Sequence, residues 1–156
     1  MQTVYLETSI IGYLASRISS DLVTAANQQL TRDWWDNHRE RFELYVSEAV
    51  IAECEAGDPD AAAEQAVFLA DLPILAIDAE SRQLAGKIMR DVSLPAKAEI
   101  DALHIAISAT NGTDYLLTWN CKHIANPSLR RIIEEVLLAA SIAPPVICTP
   151  QELINV

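Results

Sequence analysis

Residues 4–14, VYLETSIIGYL, place a β-rich run directly before a helical pattern, with Glu7 at the junction. The run before Glu7 shows little alternation of apolar and polar residues, which is typical of a strand buried on both faces. After Glu7, apolar side chains recur at helical spacing. The stretch therefore predicts a strand that leads at once into a helix, as in the first half of a βαβ unit.

The same alternation of strand and helix continues along the chain. Strands are predicted over residues 3–7, 43–47, 73–78, 114–119 and 145–149. Helices are predicted over residues 9–16, 21–41, 48–56, 59–72, 79–91, 99–110 and 127–141. This order favours the α/β class, with a mainly parallel sheet of about five strands covered on both faces. No repeat, linker or low-complexity segment interrupts residues 1–156, so we expect a single domain.

The charge of the chain is strongly negative. Asp and Glu total 22 against 11 Lys and Arg, which gives a net charge of −11. Such a surface repels nucleic acid at long range, so a polyanionic substrate would need a bound divalent cation, a basic partner or a local basic patch. The 3 cysteines show no metal-ligand spacing, and we find no signal-peptide or membrane-spanning pattern. These features predict a cytoplasmic protein.

Polar residues follow or precede the predicted strands at the places where a ligand would bind. Glu7 follows the first strand, Glu53 lies on the helix after the second, Asp101 opens the helix before the fourth, and Asn120 follows the fourth. Ligands of parallel α/β sheets bind at the carboxyl ends of the strands, and hard cations take oxygen ligands. Two simpler interpretations stay open: Asp101 as an acid favoured by the helix dipole, and Glu53 on an exposed helix face.

Four stretches together resemble one family. They are VYLETSIIGYL (4–14), VSEAVIAECEAG (46–57), EIDALHIAIS (99–108) and DYLLTWNCKHIAN (114–126). In this order and at these intervals they resemble PIN domains over nearly the whole chain. The resemblance implies a three-layer α/β/α sandwich and nuclease activity, and many members of the family are VapC-type toxins of bacterial toxin–antitoxin pairs.

The resemblance also implies a site. The four acidic positions of the family fall on Glu7, Glu53, Asp101 and Asn120 as ligands of Mg²⁺ or Mn²⁺, with Glu7, Glu53 and Asp101 as the catalytic residues. Glu7 and Asn120 depart from the family, which usually has aspartate at both positions. Because Asn120 keeps an oxygen but no charge, a one-metal site is expected. The family's hydroxyls that support the site, beside the first and fourth acids, fall on Thr8 and Thr118.

Several neighbouring residues have more than one interpretation. His104, one helical turn after Asp101, is either a hydrogen-bonded packing residue or a further ligand. Lys122 and His123, close to the end of the fourth strand, are candidates for contacts with the substrate phosphate. The adjacent Trp34 and Trp35 form either the apolar seam of a long helix or an exposed contact for a partner.

The predicted function is a metal-dependent endoribonuclease that hydrolyses RNA phosphodiester bonds, and the family resemblance implies a role as the toxin of a toxin–antitoxin pair. The alternative is a PIN-like domain with reduced catalysis that serves as a binding or assembly module, which Glu7 and Asn120 motivate. Family relatives also suggest an antitoxin partner and a homodimer, with contacts expected at Trp34 and Trp35 and on the helix of residues 127–141.

Overall fold

The computed structural model describes residues 1–155 as a parallel sheet with helices packed on it. The strands are β1 Gln2–Leu6, β2 Phe42–Ser47, β3 Ile74–Leu75, β4 Tyr115–Leu117 and β5 Val146–Cys148. In the described residues they form one 5-stranded sheet in the order β3-β2-β1-β4-β5, with every neighbouring pair parallel. The predicted class, the parallel sheet and the number of strands are confirmed.

The helices follow the predicted order. They are α1 Thr8–Ala15, α2 Leu22–Asn37, α3 Glu48–Glu55, α4 Pro59–Leu69, α5 Ala79–Asp91, α6 Glu99–Thr110, α7 Pro127–Ala139 and α8 Pro150–Leu153. The predicted helix of residues 21–41 is wrong at its end, because α2 stops at Asn37 and a 3-10 turn, Arg39–Arg41, leads into β2. The short α8 was not predicted, and a second 3-10 turn, Ala96–Ala98, precedes α6.

Side-chain caps determine where several helices begin. Asp58 accepts the backbone N–H of Ala61 at 3.1 Å before Pro59, and Asn126 accepts that of Ser128 at 2.9 Å before Pro127. Asp78 accepts the N–H of Ser81 at 2.8 Å and so begins α5. These bonds satisfy N–H groups that have no partner inside the helix. The Asp78 cap therefore ends the segment that follows the edge strand β3. This strand is only 2 residues long, although six residues were predicted.

The core lies on both faces of the central strands. Three consecutive residues of β1 are 0% exposed: Val4, Tyr5 and Leu6. Because successive side chains of a strand point to opposite faces of the sheet, helices must cover β1 on both faces. Trp34 of α2 is also fully buried and stacks on Phe42, with ring centroids 6.0 Å apart. Trp35 is half-buried against Phe68. The two tryptophans therefore form the seam of a helix and not a free contact surface.

Candidate active site

The sheet has a switch point between β1 and β4. These strands are neighbours, with Leu6 paired to Leu117, but the chain leaves β1 toward β2 on one side and β4 toward β5 on the other. Ligands of open parallel sheets bind in the crevice that forms outside the carboxyl ends at such a point. Glu7 follows β1 directly, and the Thr118–Asn120 segment follows β4, so the topology brings these predicted site residues to the same crevice.

Glu7 is a buried carboxylate held through one oxygen. It is the N-cap of α1 and only 5% exposed. Its Oε2 accepts the backbone N–H of Ser9 at 3.0 Å, the Ser9 hydroxyl, and the Thr118 hydroxyl at 2.8 Å. The α1 N-terminus also favours negative charge at this position. Within residues 1–155 no hydrogen-bond donor contacts its other oxygen, Oε1, and no Lys or Arg pairs with it.

Glu53 reaches the same crevice from α3. Its Oε1 accepts the Thr8 hydroxyl at 2.6 Å and lies 2.5 Å from Nε2 of His104, and the side chain is 37% exposed. Partial burial is the largest single influence on its pKa and raises it. The hydrogen bonds from His104 and Thr8 act in the opposite direction, and the pKa of Glu53 lies below its ordinary value. Glu53 is therefore an ionised carboxylate and not merely an exposed helix acid.

His104 is buried behind Glu53. It is 0% exposed, and its Nδ1 lies 2.7 Å from the Tyr5 hydroxyl, which in turn lies 2.7 Å from the Ser47 hydroxyl. Burial is the main reason why the pKa of Tyr5 is raised, so Tyr5 keeps its proton. The sequence interpretation considered neither Tyr5 nor Ser47. A tyrosine inside a doubly buried strand was the available signal, because its hydroxyl needs a partner in the core.

Asp101 does not cap its helix. Ala98 is the N-cap of α6 and makes no side-chain cap bond. Oδ1 of Asp101 instead accepts a hydrogen bond from Nδ2 of Asn120 at 2.9 Å. Its Oδ2 lies 2.8 Å from Nδ1 of His123. The side chains of Asp101 and His123 are 18% and 12% exposed. Asp101 is therefore not the N-cap of α6, but it does lie in the first helical turn, where the helix dipole favours an acid. Its carboxylate contacts the loop after β4.

Asn120 is oriented by that same loop. Its Oδ1 accepts the backbone N–H groups of Lys122 at 3.3 Å and His123 at 3.0 Å, which leaves Nδ2 to face Asp101. Its own N–H donates to the Thr118 hydroxyl at 2.9 Å, and Thr118 donates to Glu7. The expected oxygen ligand is thus occupied by backbone donors in this conformation, and Asn120 links Asp101 to Glu7 through hydrogen bonds.

The donor set fits a divalent cation. Glu7, Glu53 and His104 each offer one ligand atom, and these atoms lie within 4.8 Å of one another; Asp101 is not in this group. In the described part of the chain, Oε1 of Glu7 and Oε2 of Glu53 have no hydrogen-bond donor. Carboxylate oxygens are ligands that suit both Mg²⁺ and Mn²⁺. A cation here would offset the repulsion between the acids.

Two lysines from different segments meet beside the site. Lys97 lies in the turn before α6, and Lys122 follows Asn120 in the loop after β4. The close side chain of Lys97 and its positive charge lower the pKa of Lys122, which is an exposed side chain. Two ammonium groups in contact repel each other unless an anion lies near them. This pair gives the acidic chain a local basic patch next to Asp101.

Comparison with known proteins identifies the family. The PIN domain model matches residues 4–120. No curated protein sequence matches the chain. The fold is similar to that of VapC20 from Mycobacterium tuberculosis, a sarcin-ricin loop cleaving toxin, with a TM-score of 0.59 and 16% identity over 78% of this chain and 92% of that one. It is also similar to VapBC2 from Rickettsia felis bound to a DNA fragment from its promoter, with a TM-score of 0.56 and 16% identity over 95% and 98% of the two chains.

Proposed function

This chain belongs to the PIN domain family, and from that premise we propose that it is a metal-dependent endoribonuclease. One observation carries the proposal. The carboxylates of Glu7 and Glu53 meet at the switch point of the sheet, and each keeps an oxygen without a donor in the described residues. Asp101 is linked to Glu7 by hydrogen bonds through Asn120 and Thr118. Packing alone does not account for this arrangement, because carboxylates that lie close together repel one another.

The residues would divide the work between binding and proton transfer. Glu7 and Glu53 would hold Mg²⁺ or Mn²⁺ through their free oxygens, and Asp101 would join them directly or through water. The bound cation would polarise a phosphodiester oxygen and lower the pKa of an attacking water. Glu53 or Asp101 would accept the proton of that water. Thr8 holds Glu53, and Thr118 holds Glu7, so both threonines keep a carboxylate oriented.

Charge near the site supports an RNA substrate. The net charge of −11 opposes a polyanion, but Lys97 and Lys122 supply positive charge beside Asp101. His123 lies against Asp101 with part of its ring exposed. We propose that Lys122 and His123 contact the RNA backbone on the side of the site formed by the loop after β4.

A second function has one observation in its favour. Asn120 stands where the family usually has aspartate, and its oxygen is held by two backbone N–H groups. A site with one fewer carboxylate binds cations more weakly. A catalytically reduced PIN domain that serves as a binding or assembly module would fit this feature.

Partners follow from the same premise. The likeness to VapC20 and VapBC2 supports a toxin of a toxin–antitoxin pair with an antitoxin as partner. We further propose a homodimer as the assembly, as the family resemblance suggests. Because Trp34 and Trp35 are packed inside the chain, α7 is the better candidate contact of the two that the sequence suggested. Its Ile132 and Leu138 are 38% and 61% exposed. No helix in residues 1–155 is long and apolar enough to cross a membrane.

The test is RNA cleavage by the purified protein with Mg²⁺, with Mn²⁺ and with a chelator. Asp101→Asn should lower the rate by about 100-fold or more, since general acid–base groups contribute about 10²–10⁴-fold. Glu99→Gln is the matched control, because Glu99 is an exposed acid in the same helical turn. Metal-dependent cleavage that survives in Asp101→Asn would reject the site. No cleavage and no Mn²⁺ binding by the unmodified protein would favour the assembly module.

A further inference from the structure

We propose that His104 is a positioning residue for Glu53, at the end of a buried chain of hydrogen bonds that runs from the end of β2 through β1 and α6 to α3. The proposal rests on the proposed function, because it assigns Glu53 an oriented role there. The chain consists of Ser47, Tyr5, His104 and Glu53, in that order.

The direction of the hydrogen bonds in this series follows from Ser47, its first residue. Ser47 is the N-cap of α3 and accepts the backbone N–H of Val50 at 3.3 Å. Within residues 1–155, the Ser47 hydroxyl has one further partner, the Tyr5 hydroxyl at 2.7 Å. A serine hydroxyl has one proton to donate, and a buried one needs an acceptor. Ser47 therefore donates to Tyr5, and the opposite direction would leave its proton without an acceptor.

The rest of the chain then has one arrangement. Tyr5 accepts from Ser47, so its own proton is donated to Nδ1 of His104 at 2.7 Å. Nδ1 then carries no hydrogen, and the ring proton is on Nε2, which lies 2.5 Å from Oε1 of Glu53. A carboxylate only accepts hydrogen bonds, so Glu53 needs a proton on Nε2 of His104. The direction inferred from Ser47 places the ring proton on that same nitrogen. Each proton has an acceptor.

Burial makes this chain a rigid support. Ser47, Tyr5 and His104 are each 0% exposed. Hydrogen bonds inside a protein are stronger than those in water and polarise one another along a chain. The chain begins at the first residue before α3 and ends on Glu53 of the same helix, so it ties α3 to β1 and α6.

These hydrogen bonds determine which oxygen of Glu53 faces the crevice. Oε1 receives two donors, His104 and Thr8, so Oε2 is the oxygen left for a cation or a water. A neutral His104 with its proton on Nε2 is not a metal ligand through that nitrogen. Partners of this kind commonly change metal affinity or activity by about 10- to 100-fold when removed.

The first experiment is nitrogen-15 NMR of the metal-free protein at neutral pH, with His104→Gln used to assign the His104 signals. We expect a proton on Nε2 and an unprotonated, hydrogen-bonded Nδ1. Tyr5→Phe, which removes the donor, should move the Nδ1 resonance toward that of a free ring nitrogen. Tyr115→Phe is the matched control, because the Tyr115 hydroxyl lies 3.5 Å from Gln2 and outside the chain. A proton on Nδ1 would overturn the proposal whatever the protein does to RNA.

The second experiment compares Mn²⁺ affinity in His104→Gln and His104→Leu by calorimetry. A glutamine nitrogen can still donate to Glu53, whereas leucine cannot, so we expect the affinity to fall about 10- to 100-fold in His104→Leu and to be largely kept in His104→Gln. Equal losses would identify His104 as a metal ligand and overturn the positioning role. If the unmodified protein binds no Mn²⁺, the proposed function fails, and the tautomer measurement alone decides the hydrogen-bond chain. Tyr5→Phe covers the case in which His104→Leu does not fold.

Discussion

Nδ2 of Asn120 lies 2.9 Å from Oδ1 of Asp101, so an amide donor and not a fourth carboxylate faces the aspartate. This contact removes one negative charge from the site and replaces a repulsion with a hydrogen bond. The metal-free site is therefore more stable than one with a fourth carboxylate would be, and its attraction for a cation is weaker.

The contact predicts opposite effects of Asn120→Asp on stability and on metal binding. The new carboxylate would lose the donor to Asp101 and repel it, which should lower the metal-free stability by about 1–3 kcal/mol. The added charge should tighten Mn²⁺ binding. Thermal unfolding with and without Mn²⁺, combined with calorimetry, checks both expectations. Weaker Mn²⁺ binding would mean that position 120 lies outside the cation's surroundings.

Glu7→Gln should separate folding from cation binding. The glutamine oxygen can take the place of Oε2 and accept from Ser9 and Thr118, so the fold should be kept. Its amide nitrogen would then point toward the cation, and Mn²⁺ binding should be lost at concentrations that saturate the unmodified protein. Calorimetry beside a thermal melt makes the comparison. Undiminished Mn²⁺ affinity in the variant would remove Glu7 from the site.

Lys122→Ala should weaken RNA binding without changing Mn²⁺ affinity. If Lys122 neutralises one phosphate, the dependence of log affinity on log salt should become shallower by about 0.7, the value for a single strand. Lys87→Ala is a suitable control, since Lys87 is paired with Asp91 at 3.0 Å on α5. Binding isotherms over a range of salt concentrations supply the slopes. Identical slopes for both variants would argue against a phosphate contact at Lys122.

One of the cysteines should react with a thiol reagent in the folded protein. Cys121 is exposed, whereas Cys54 and Cys148 are buried. Burial is the main cause that raises the pKa of Cys54 to about 11 and that of Cys148 to about 12, and nearby glutamates add to it. At pH 8 both buried thiols are therefore protonated and unreactive. Colorimetric titration should find about one reactive thiol, and Cys121→Ser should abolish it.

The same pKa values predict how the buried thiols contribute to stability. Because folding raises the pKa of Cys54 and Cys148 above the ordinary value of 9.0, their contribution is fully present below about pH 9. It is lost as the pH rises toward 11 and 12. Unfolding curves of the protein and of Cys54→Ala between pH 8 and 11 test this. A parallel decline of both curves would assign the loss to other groups.

Trp34 should tolerate phenylalanine better than alanine. It is fully buried on Phe42, so Trp34→Ala should lower the free energy of unfolding by about 3–5 kcal/mol. Its Nε1 has no hydrogen-bond partner in the described residues, so Trp34→Phe removes an unpaired donor while keeping most of the ring contacts. Denaturant unfolding should rank the two variants in that order. Equal losses would mean that the indole ring makes contacts that phenylalanine cannot replace.

Local patterns explain why most of the fold was predictable. Unalternated apolar runs such as Val4–Leu6, and caps such as Asp58 and Asn126 before proline, depend on residues close in the chain. The end of α2 and the length of β3 were predicted less well. Both depend on where a neighbouring element begins, at β2 and at the Asp78 cap.

The sequence by itself determined the class of fold, the family and the positions of the acids, because strand and helix periodicity and short motifs are local properties. Only the tertiary structure decided what those acids contact. Asp101 meets Asn120 and His123 across the end of β4, and His104 meets Tyr5 and Glu53 across three elements. Such contacts join residues 19 to 99 positions apart, so no local pattern can report which oxygen is held and which is free. That division is set by the packing of α3 and α6 around β1 and β4, which places donors on one side of each carboxylate and leaves the other side open.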